Sequence, residues 1–416
     1  MELAWIFNGV TPFGEDRDPE RSVADVRIAQ ERDRGLLVGH DWYPVMSDRH
    51  VGAGEVGALF AKLAAVARPA GSVAESAARA HCRAWLEEDG FHVSDAPFSY
   101  SRWPGLYATP LFGFLLFTVA VFALIAVLRA PGEVALVMTW SSLAVALVAA
   151  IGLLVSRHGT SRLPWVRGSS TNLEAVRGDP AVWLLAHLDS KSQPVSLLAR
   201  AAGAVLFSAA WAGSLAAWML VDKSGQGTGS IAYFLSLCGL ASVPLMLSAV
   251  GTRGDGALDN ASGVAAVLVA ARQWPAEVPI GVLITSGEEL GLAGARAWAA
   301  GRPPGIVINC DGVDDSGAVT VTLGGGRADG TGKPWNFMTV RRVCGPEVRV
   351  RRILPGVLLD AVAMTDAGWE ACTVSKGTLR SLARIHTRRD TLAGMAGTGI
   401  PEVAEKIVAL GGAIIA

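Results

Sequence analysis

The sequence predicts an α/β fold in which a mostly parallel mixed sheet is sandwiched by helices and two transmembrane helical hairpins are inserted. From residue 251 onward, helical patterns alternate with short apolar segments, an order typical of parallel sheets. Earlier in the chain, each of four uncharged runs reaches about 20 residues, the length that an α-helix needs to cross roughly 30 Å of hydrocarbon. These runs are residues 106–128, 134–155, 201–221 and 229–250.

The composition agrees with membrane insertion and argues against a nucleic-acid partner. The chain of 416 residues has a formal net charge of −1, so it lacks the basic surplus that binds nucleic acid. Hydrophobic residues make up 51% of the chain and the mean hydropathy is +0.38, an excess that the four runs explain. Buried core helices are the alternative interpretation, but four such runs in one ordinary domain would be unusual. We therefore expect the lipid bilayer as a partner.

The first part of the chain predicts a polar arm followed by two helices. Residues 1–53 are polar and mixed in charge, and 18–35 has the pattern of a charged, exposed helix. Apolar residues then recur every three to four positions over 54–91, interrupted by a Pro- and Gly-containing turn, which predicts a helix pair. Residues 91–100 predict a strand.

The remaining strands are predicted from short apolar segments bounded by turn residues. Segments 171–176 and 181–186 flank the turn Gly178-Asp179-Pro180 and predict a β-hairpin. Later strands are expected at 278–285, 305–310 and 371–375, and a last helix at 401–410.

A short connection joins the two apolar runs of each pair, so each pair forms a hairpin that returns the chain to the side it left. The first transmembrane hairpin covers residues 106–156 and the second covers 196–250. The soluble segments 54–105, 157–195 and 251–416 therefore lie on one side of the membrane, where they combine into one domain.

Residues 256–263, with the sequence Gly-Ala-Leu-Asp-Asn-Ala-Ser-Gly, place an acid directly before an apolar helical run. We expect Asp259 at the start of that helix, with its carboxylate bridging two metal ions. Because ligands gather beyond the carboxyl ends of the strands in an open α/β sheet, polar residues at strand ends are expected to converge there. Four further candidate ligands lie at strand ends or in a loop: His187, Glu289, Asp311 and His386.

The types of these five ligands indicate a catalytic metal site. Imidazole and carboxylate groups without thiolates suit zinc, with manganese and cobalt as alternatives. Five groups suit two metals that share one carboxylate, and such a pair can hold both the attacking water and a substrate carbonyl oxygen.

Two neighbouring acids are expected to assist catalysis without binding metal. Glu288, next to Glu289, is positioned to take a proton from the bridging water and pass it to the leaving amine. Asp189, two residues after His187, is positioned to fix the orientation and tautomer of that imidazole. Each motif taken singly is more often structural, but their ordered combination is much less frequent by accident.

The ordered set of motifs resembles the di-zinc exopeptidase family, which includes bacterial leucyl aminopeptidases, glutamate carboxypeptidases and membrane-bound relatives. The resemblance covers the soluble segments and all five ligand positions. The motifs are Ala186-His187-Leu188-Asp189-Ser190, Leu258-Asp259-Asn260-Ala261-Ser262-Gly263, Ser286-Gly287-Glu288-Glu289-Leu290-Gly291, Asn309-Cys310-Asp311-Gly312 and Ile385-His386-Thr387-Arg388-Arg389-Asp390-Thr391.

The resemblance implies two zinc ions that share Asp259. His187 and Asp311 complete one site, Glu289 and His386 complete the other, Glu288 is the general base and Asp189 orients His187. A member of this family hydrolyses peptides, and we expect a membrane-anchored aminopeptidase that cleaves N-terminal peptide bonds through a metal-bridged water. Asp366 falls where relatives carry a substrate-side acid, but the residues around it differ, so we leave it out of the site.

Other functions remain open at the level of sequence. A carboxypeptidase or an amide-forming cyclase can use the same scaffold, and a membrane receptor or scaffold protein can retain the fold without the chemistry. A transporter is disfavoured because the four apolar runs contain almost no charge to mark a pathway.

Basic residues near the apolar runs predict which side of the membrane holds the soluble domain. Two basic residues, Arg129 and Lys223, lie at the hairpin tips. Seven lie on the domain side: Arg102, Arg157, Arg162, Arg167, Lys191, Arg200 and Arg253. This bias, five cysteines without a C-x-x-C pair and no signal-peptide pattern at the start predict a cytoplasmic catalytic domain of an integral membrane protein.

Overall fold

The computed structural model describes residues 51–220, 227–324, 335, 337–354 and 356–415. The predicted arm, apart from its last three residues, and the predicted helix at 18–35 lie outside the described residues. The predicted helix pair is confirmed as α1 (Ala53–Leu63) and α2 (Val73–Glu88). Ser72 caps α2, because its hydroxyl accepts a hydrogen bond from the Glu75 amide at 3.1 Å.

In the part of the chain that the structure describes, eight strands form one mixed sheet in the order β1-β2-β4-β3-β5-β8-β6-β7. The pairs β3-β4, β3-β5, β5-β8 and β6-β7 are parallel and the other three are antiparallel, so the predicted mostly parallel mixed sheet is confirmed. The strands are β1 (His92–Ser101), β2 (Arg167–Arg177), β3 (Val182–His187), β4 (Ile280–Thr285), β5 (Ile306–Val313), β6 (Ala318–Leu323), β7 (Arg349–Arg352) and β8 (Glu370–Gly377).

The predicted β-hairpin of 171–176 and 181–186 is wrong, because β4 lies between β2 and β3. Every residue of β3 is buried, as is typical of a strand in the interior of a parallel sheet. Strand β3 pairs in parallel with β4 on one side and with β5 on the other. Strand β2 instead pairs antiparallel with β1 and β4. The turn at Gly178-Asp179-Pro180 therefore reverses the chain without pairing the strands that flank it.

The helices of the soluble region cover the sheet. Helix α7 (Ser262–Gln273) is buried along its whole length and contacts β3, β4 and β5. Trp183 and Leu185 of β3 pack in one apolar cluster with Trp298 and Met364, which belong to two later helices. The helices after α7 are α8 (Ala293–Ala299), α9 (Phe337–Cys344), α10 (Asp360–Asp366), α11 (Leu379–Arg384) and α12 (Ile400–Ile415).

Among the described residues, four helices between α2 and α7 are long and apolar enough to cross a membrane, as judged by length and composition. They coincide with the predicted runs, and pack together around buried residues that include Val127, Met138, Trp211, Ile231 and Leu235. The four are α3 (Thr109–Arg129), α4 (Val134–Arg162), α5 (Leu197–Met219) and α6 (Thr228–Met246). Their insertion into a bilayer as two hairpins stays a prediction.

Candidate metal centre

Asp259 lies between two histidines that are far apart in sequence. Its Oδ1 is 3.1 Å from His187 Nε2, and its Oδ2 is 2.8 Å from His386 Nε2. His187 ends β3, Asp259 precedes α7, and His386 follows α11. Each carboxylate oxygen therefore faces a different imidazole, the arrangement that a shared ligand requires.

The structure also brings the remaining predicted ligands into this cluster. Asp311 Oδ1 is 3.7 Å from His187 Nε2, and Glu289 Oε1 is 3.1 Å from His386 Nε2. Candidate ligand atoms form two groups, each within 4.8 Å: one of His187, Glu288 and Asp311, the other of Asp259, Glu289 and His386. Glu288, for which we expected no metal contact, thus lies among potential ligands.

The chemistry of the cluster fits divalent cations. Burial raises the pKa of the Glu288 carboxyl well above its usual range, and the neighbouring charges of Glu289 and Asp311 raise it further against the opposing effect of His187. Buried like charges are costly unless cations compensate them. Burial also raises the pKa of the Cys310 thiol, so this cysteine is protonated and offers no thiolate beside Asp311. The candidate ligands are therefore carboxylate oxygens and imidazole nitrogens, which are donor types that zinc binds.

Asp189 contacts His187 through its backbone as well as its side chain. The Nδ1 atom of His187 is 3.0 Å from the Asp189 carbonyl oxygen and 3.7 Å from the Asp189 carboxylate. The carboxylate accepts hydrogen bonds from the amides of Glu288 at 3.1 Å and Glu289 at 3.2 Å. Asp189 therefore also fixes the turn after β4 that carries both glutamates.

The comparison with known families agrees with this geometry. A model of peptidase family M28 matches residues 171–410, which is more than half of the chain. The chain belongs to peptidase family M28. This membership confirms the predicted family and the predicted class of enzyme, a zinc-dependent exopeptidase.

Several solved structures are similar to this M28 peptidase. The zinc aminopeptidase BSAP from Bacillus subtilis is 13% identical with a TM-score of 0.48, and the match covers 87% of this chain and 95% of that one. The aminopeptidase from Aneurinibacillus sp. strain AM-1 is 13% identical with a TM-score of 0.48, covering 86% and 93%. Fimbriiglobus ruber glutaminyl cyclase is 14% identical with a TM-score of 0.49, covering 91% and 100%. A search of curated proteins found no match.

Arg68 is a buried residue of the M28 peptidase that the sequence did not single out as part of the site. Its Nε donates to the Leu188 carbonyl at 2.9 Å, and its Nη atoms donate to the carbonyls of Asp255 at 2.7 Å and Gly256 at 2.9 Å. Leu188 adjoins His187, and Gly256 precedes Asp259 by three residues. Arg68 therefore ties together the two loops that carry these candidate ligands.

Asp390 positions the backbone of Asp259 itself. Its Oδ1 accepts a hydrogen bond from the Leu258 amide at 2.7 Å, and its Oδ2 accepts one from the Asp259 amide at 3.1 Å. Burial raises the pKa of the Asp390 carboxyl to about 6. The residue lies four positions after His386, so the same loop provides one candidate ligand and supports another.

Asn260 links the start of α7 to β5. Its side-chain amide donates to the Cys310 carbonyl at 3.0 Å and accepts from the Gly312 amide at 3.0 Å. The peptide bond between Asp259 and Asn260 is cis. Asn260 thereby holds the backbone on both sides of Asp311 against the segment that carries Asp259.

Two basic side chains, which the sequence relates only to membrane orientation, also contact the cluster. Lys191 Nζ is 2.6 Å from Glu289 Oε2, and Arg200 Nη2 is 2.5 Å from His386 Nδ1. Lys191 lies in the segment before α5, and Arg200 lies in the first turn of α5. Their spacing in sequence gave no signal of this contact.

Two aspartates of α10 occupy very different environments. Asp366, which we left out of the site, is exposed and forms an ion pair with Arg296 at 3.2 Å. Asp360 is buried beside Thr285 at the end of β4, and burial raises the pKa of its carboxyl to about 7. Asp360 interacts electrostatically with His187 and Asp311 of the candidate site. The sequence does not reveal this, since an acid in the first turn of a short helix resembles an ordinary helix start.

Proposed function

We propose that this M28 peptidase is a membrane-anchored aminopeptidase with two zinc ions. The supporting observation is the position of Asp259, whose two carboxylate oxygens face the imidazoles of His187 and His386. One ion would be held by His187, Asp311 and Asp259, and the other by Glu289, His386 and Asp259. When bound, zinc supplies Lewis acidity toward a scissile carbonyl and toward water.

Glu288 is the proposed proton carrier of the reaction. Its carboxylate lies in the group formed with His187 and Asp311. The Glu288 carboxylate takes a proton from the attacking water and delivers it to the nitrogen of the leaving amine. Burial, the largest effect, raises its pKa, which favours the protonated form needed for the second transfer. Asp189 keeps Glu288 in place through the amide hydrogen bond at 3.1 Å.

The aminopeptidase is the first candidate among the functions that this scaffold can carry. Four acidic side chains surround the site, Asp259, Glu288, Glu289 and Asp311. Their charges balance the two zinc ions that the site would hold. The assay below separates the aminopeptidase from the carboxypeptidase, the cyclase and the non-catalytic receptor.

An assay with matched peptides tests this function. The purified protein is given one peptide with a free N terminus, the same peptide acetylated at its N terminus, and the same peptide amidated at its C terminus. We expect cleavage of the first and third peptides and none of the acetylated one. Cleavage that instead requires a free C terminus would establish a carboxypeptidase. Absence of all turnover in zinc-loaded protein would favour the receptor.

Substitution of the proposed base gives a second, independent test. Glu288→Gln is expected to lower kcat by at least about 100-fold, because general base catalysis contributes about 10²–10⁴-fold. Glu87→Gln, an exposed residue of α2, serves as the matched control and is expected to leave kcat unchanged. Equal kcat values for the two variants would remove Glu288 from the mechanism.

The proposed domain organisation places the catalytic domain, residues 54–105, 157–195 and 251–416, in the cytoplasm. The two hairpins, 106–156 and 196–250, then expose their tips on the opposite side. All five cysteines are buried, so a cysteine introduced at the exposed Gly132 provides a selective label for a hairpin tip. We expect a membrane-impermeant maleimide to label Gly132→Cys in intact cells. Labelling only after lysis would show that the hairpin tip faces the cytoplasm and would contradict the proposed orientation.

A further inference from the structure

The loop that carries both glutamates lies directly against the first apolar hairpin. Leu290 and Gly291 follow Glu289, and a Cβ atom added to Gly105 would lie 2.3 Å from the Leu290 Cα. A Cβ atom added to Gly291 would lie 2.8 Å from the Thr160 side chain. Gly105 is in the first turn of the first candidate span, Pro104–Arg129, and Thr160 is in the last turn of the second. The segment directly after Glu289 therefore packs against the ends of these helices.

The second apolar hairpin contacts the cluster from its own first turn. Arg200 Nη2, in α5, lies 2.5 Å from His386 Nδ1. In the segment before α5, the Gln193 amide donates to the His386 carbonyl at 2.5 Å, and Lys191 pairs with Glu289 at 2.6 Å. The ends of both hairpins therefore touch candidate metal ligands or the residues beside them.

Aromatic residues lie at the end of the first hairpin that contacts the glutamate loop. Trp103 lies just before the first span, with ring centroids 5.7 Å from Trp165 and 6.4 Å from Tyr107. Trp165 and Tyr107 are about half exposed, at 56% and 50%. Tryptophan and tyrosine are enriched where a helix passes through the headgroup layer of a bilayer. Since a helix rises about 1.5 Å per residue, a first-turn residue lies within roughly 5 Å of this layer.

From these contacts we propose that the substrate is the N-terminal segment of a membrane-anchored polypeptide, cleaved at the bilayer surface. Its own apolar helix begins only a few residues after the scissile bond. This inference rests on the proposed aminopeptidase function and specifies the class of its substrates. A short segment of this kind can reach a site at the level of the first helical turns. It could not reach a site far from the membrane.

The reach of the chain converts this proposal into a distance test. An extended residue spans at most about 3.3–3.6 Å, so a spacer of about 3 residues reaches roughly 10 Å and one of about 16 residues reaches roughly 55 Å. The protein is reconstituted into phosphatidylcholine vesicles with peptides that share one N-terminal residue and one transmembrane anchor. The peptides differ only in a Gly/Ser spacer of about 3, about 8 or about 16 residues. Because the anchor is the same, the surface density of substrate in the vesicles is the same throughout.

We expect the shortest spacer to be cleaved at least as fast as the longest. A rate at least about tenfold lower for the shortest spacer, equivalent to about 1.4 kcal/mol, would place the site beyond its reach and overturn the proposal. A soluble peptide with the same N-terminal residue is assayed in parallel, with the acetylated peptides as controls. If neither soluble nor anchored peptides are cleaved, the aminopeptidase function itself fails. If soluble peptides are cleaved, but among the anchored peptides only those with long spacers are cleaved, the aminopeptidase function holds and the proposed substrate class is wrong.

Discussion

Every side chain of β3 and β4 is buried, whereas the four long helices leave large apolar side chains exposed, among them Phe122 at 69% and Trp140 at 65%. In water, exposed apolar faces of this size would favour aggregation or binding. In a bilayer they face lipid at no such cost. The comparison supports the prediction that the two regions use apolar residues for different solvents, although they belong to one chain.

Polar groups differ between the two regions in the same way. In the long helices, several buried hydroxyls donate to carbonyls of their own helix, as Ser214 does to Trp211 at 2.7 Å and Ser242 does to Gly239 at 2.7 Å. Because lipid offers no hydrogen-bond partners, polar groups in a bilayer must find their partners within the protein. In the sheet region, buried polar groups such as Arg68 join segments more than 100 residues apart. We therefore expect single substitutions to be most damaging in the sheet region.

The largest loss of stability is expected for Arg68→Met. Removing the guanidinium leaves the buried Leu188 carbonyl and the part-buried Asp255 carbonyl without a donor, each at a cost of about 1–3 kcal/mol. The Gly256 carbonyl loses one of its two donors, at about 1 kcal/mol, and keeps the Ala261 amide at 3.0 Å, so we expect a loss of about 4–5 kcal/mol in all. Urea unfolding followed by proteolysis of the soluble domain measures it. Arg83→Met, on the partly exposed face of α2, is the control and should change stability by less than about 0.5 kcal/mol. Equal losses for both variants would contradict the role of Arg68 as a tie between the loops.

A matched pair of leucines contrasts the two regions directly. Leu184→Ala in β3 should lower the free energy of unfolding by about 3–4 kcal/mol, because it opens a cavity in a buried core. Leu147→Ala in α4, where the side chain is 60% exposed, creates no internal cavity and should cost much less. Thermal inactivation of both variants in nanodiscs tests the contrast. A larger loss for the α4 variant would mean that this face packs against protein and not lipid.

A pH effect of similar or slightly smaller size is expected from Glu75. Burial, with a contribution from the charge of Asp189, raises the pKa of the Glu75 carboxyl from 4.5 to about 7. Between these values the folded protein retains a proton that the unfolded chain releases, so stability falls as pH rises through this window, by about 3 kcal/mol in all. Glu75→Gln should abolish this dependence and be the more stable protein at pH 8. Identical pH profiles of stability for the two proteins would show that Glu75 has an ordinary pKa in the fold.

The smallest effect concerns the support of the metal cluster. Asp390→Asn places a donor against one of the two amides that the carboxylate binds, so zinc affinity should fall by about tenfold. Asp366→Asn is the control, since Asp366 forms an exposed ion pair away from the cluster. Competition with a chelator measures both affinities. An unchanged affinity in Asp390→Asn would exclude this residue as a positioning group.

Local sequence sufficed for the first two helices, the four long helices, α7, α12, most strands and the residues that converge at the cluster, whereas the short helices α8 to α11 were not predicted individually. His187 ends β3, Asp311 lies near the end of β5 and Glu289 lies in the turn after β4. These positions follow from the pattern of a few neighbours. The order of strands did not follow, because the pairing of β2 with β4 depends on residues more than 100 positions apart. Strand β7, with the sequence Arg-Val-Arg-Arg, has no apolar pattern at all and was missed.

The supporting residues were harder to predict than the ligands. Arg68 and Asp390 bind backbone groups, and no residue type at a fixed spacing announces such a contact. Asp360 and Asp366 illustrate the same difficulty within one helix, since only folding reveals which acid is buried. A buried charge acquires its role from tertiary surroundings, which a single sequence does not display.

The central claim is that Asp259 joins two metal sites, and zinc stoichiometry tests it most directly. Metal analysis of the purified protein should give about two zinc ions per chain, as expected of a two-metal site with a shared carboxylate. In Asp259→Ala the value should fall sharply and aminopeptidase activity should be lost. Retention of the full zinc content by Asp259→Ala would contradict the account.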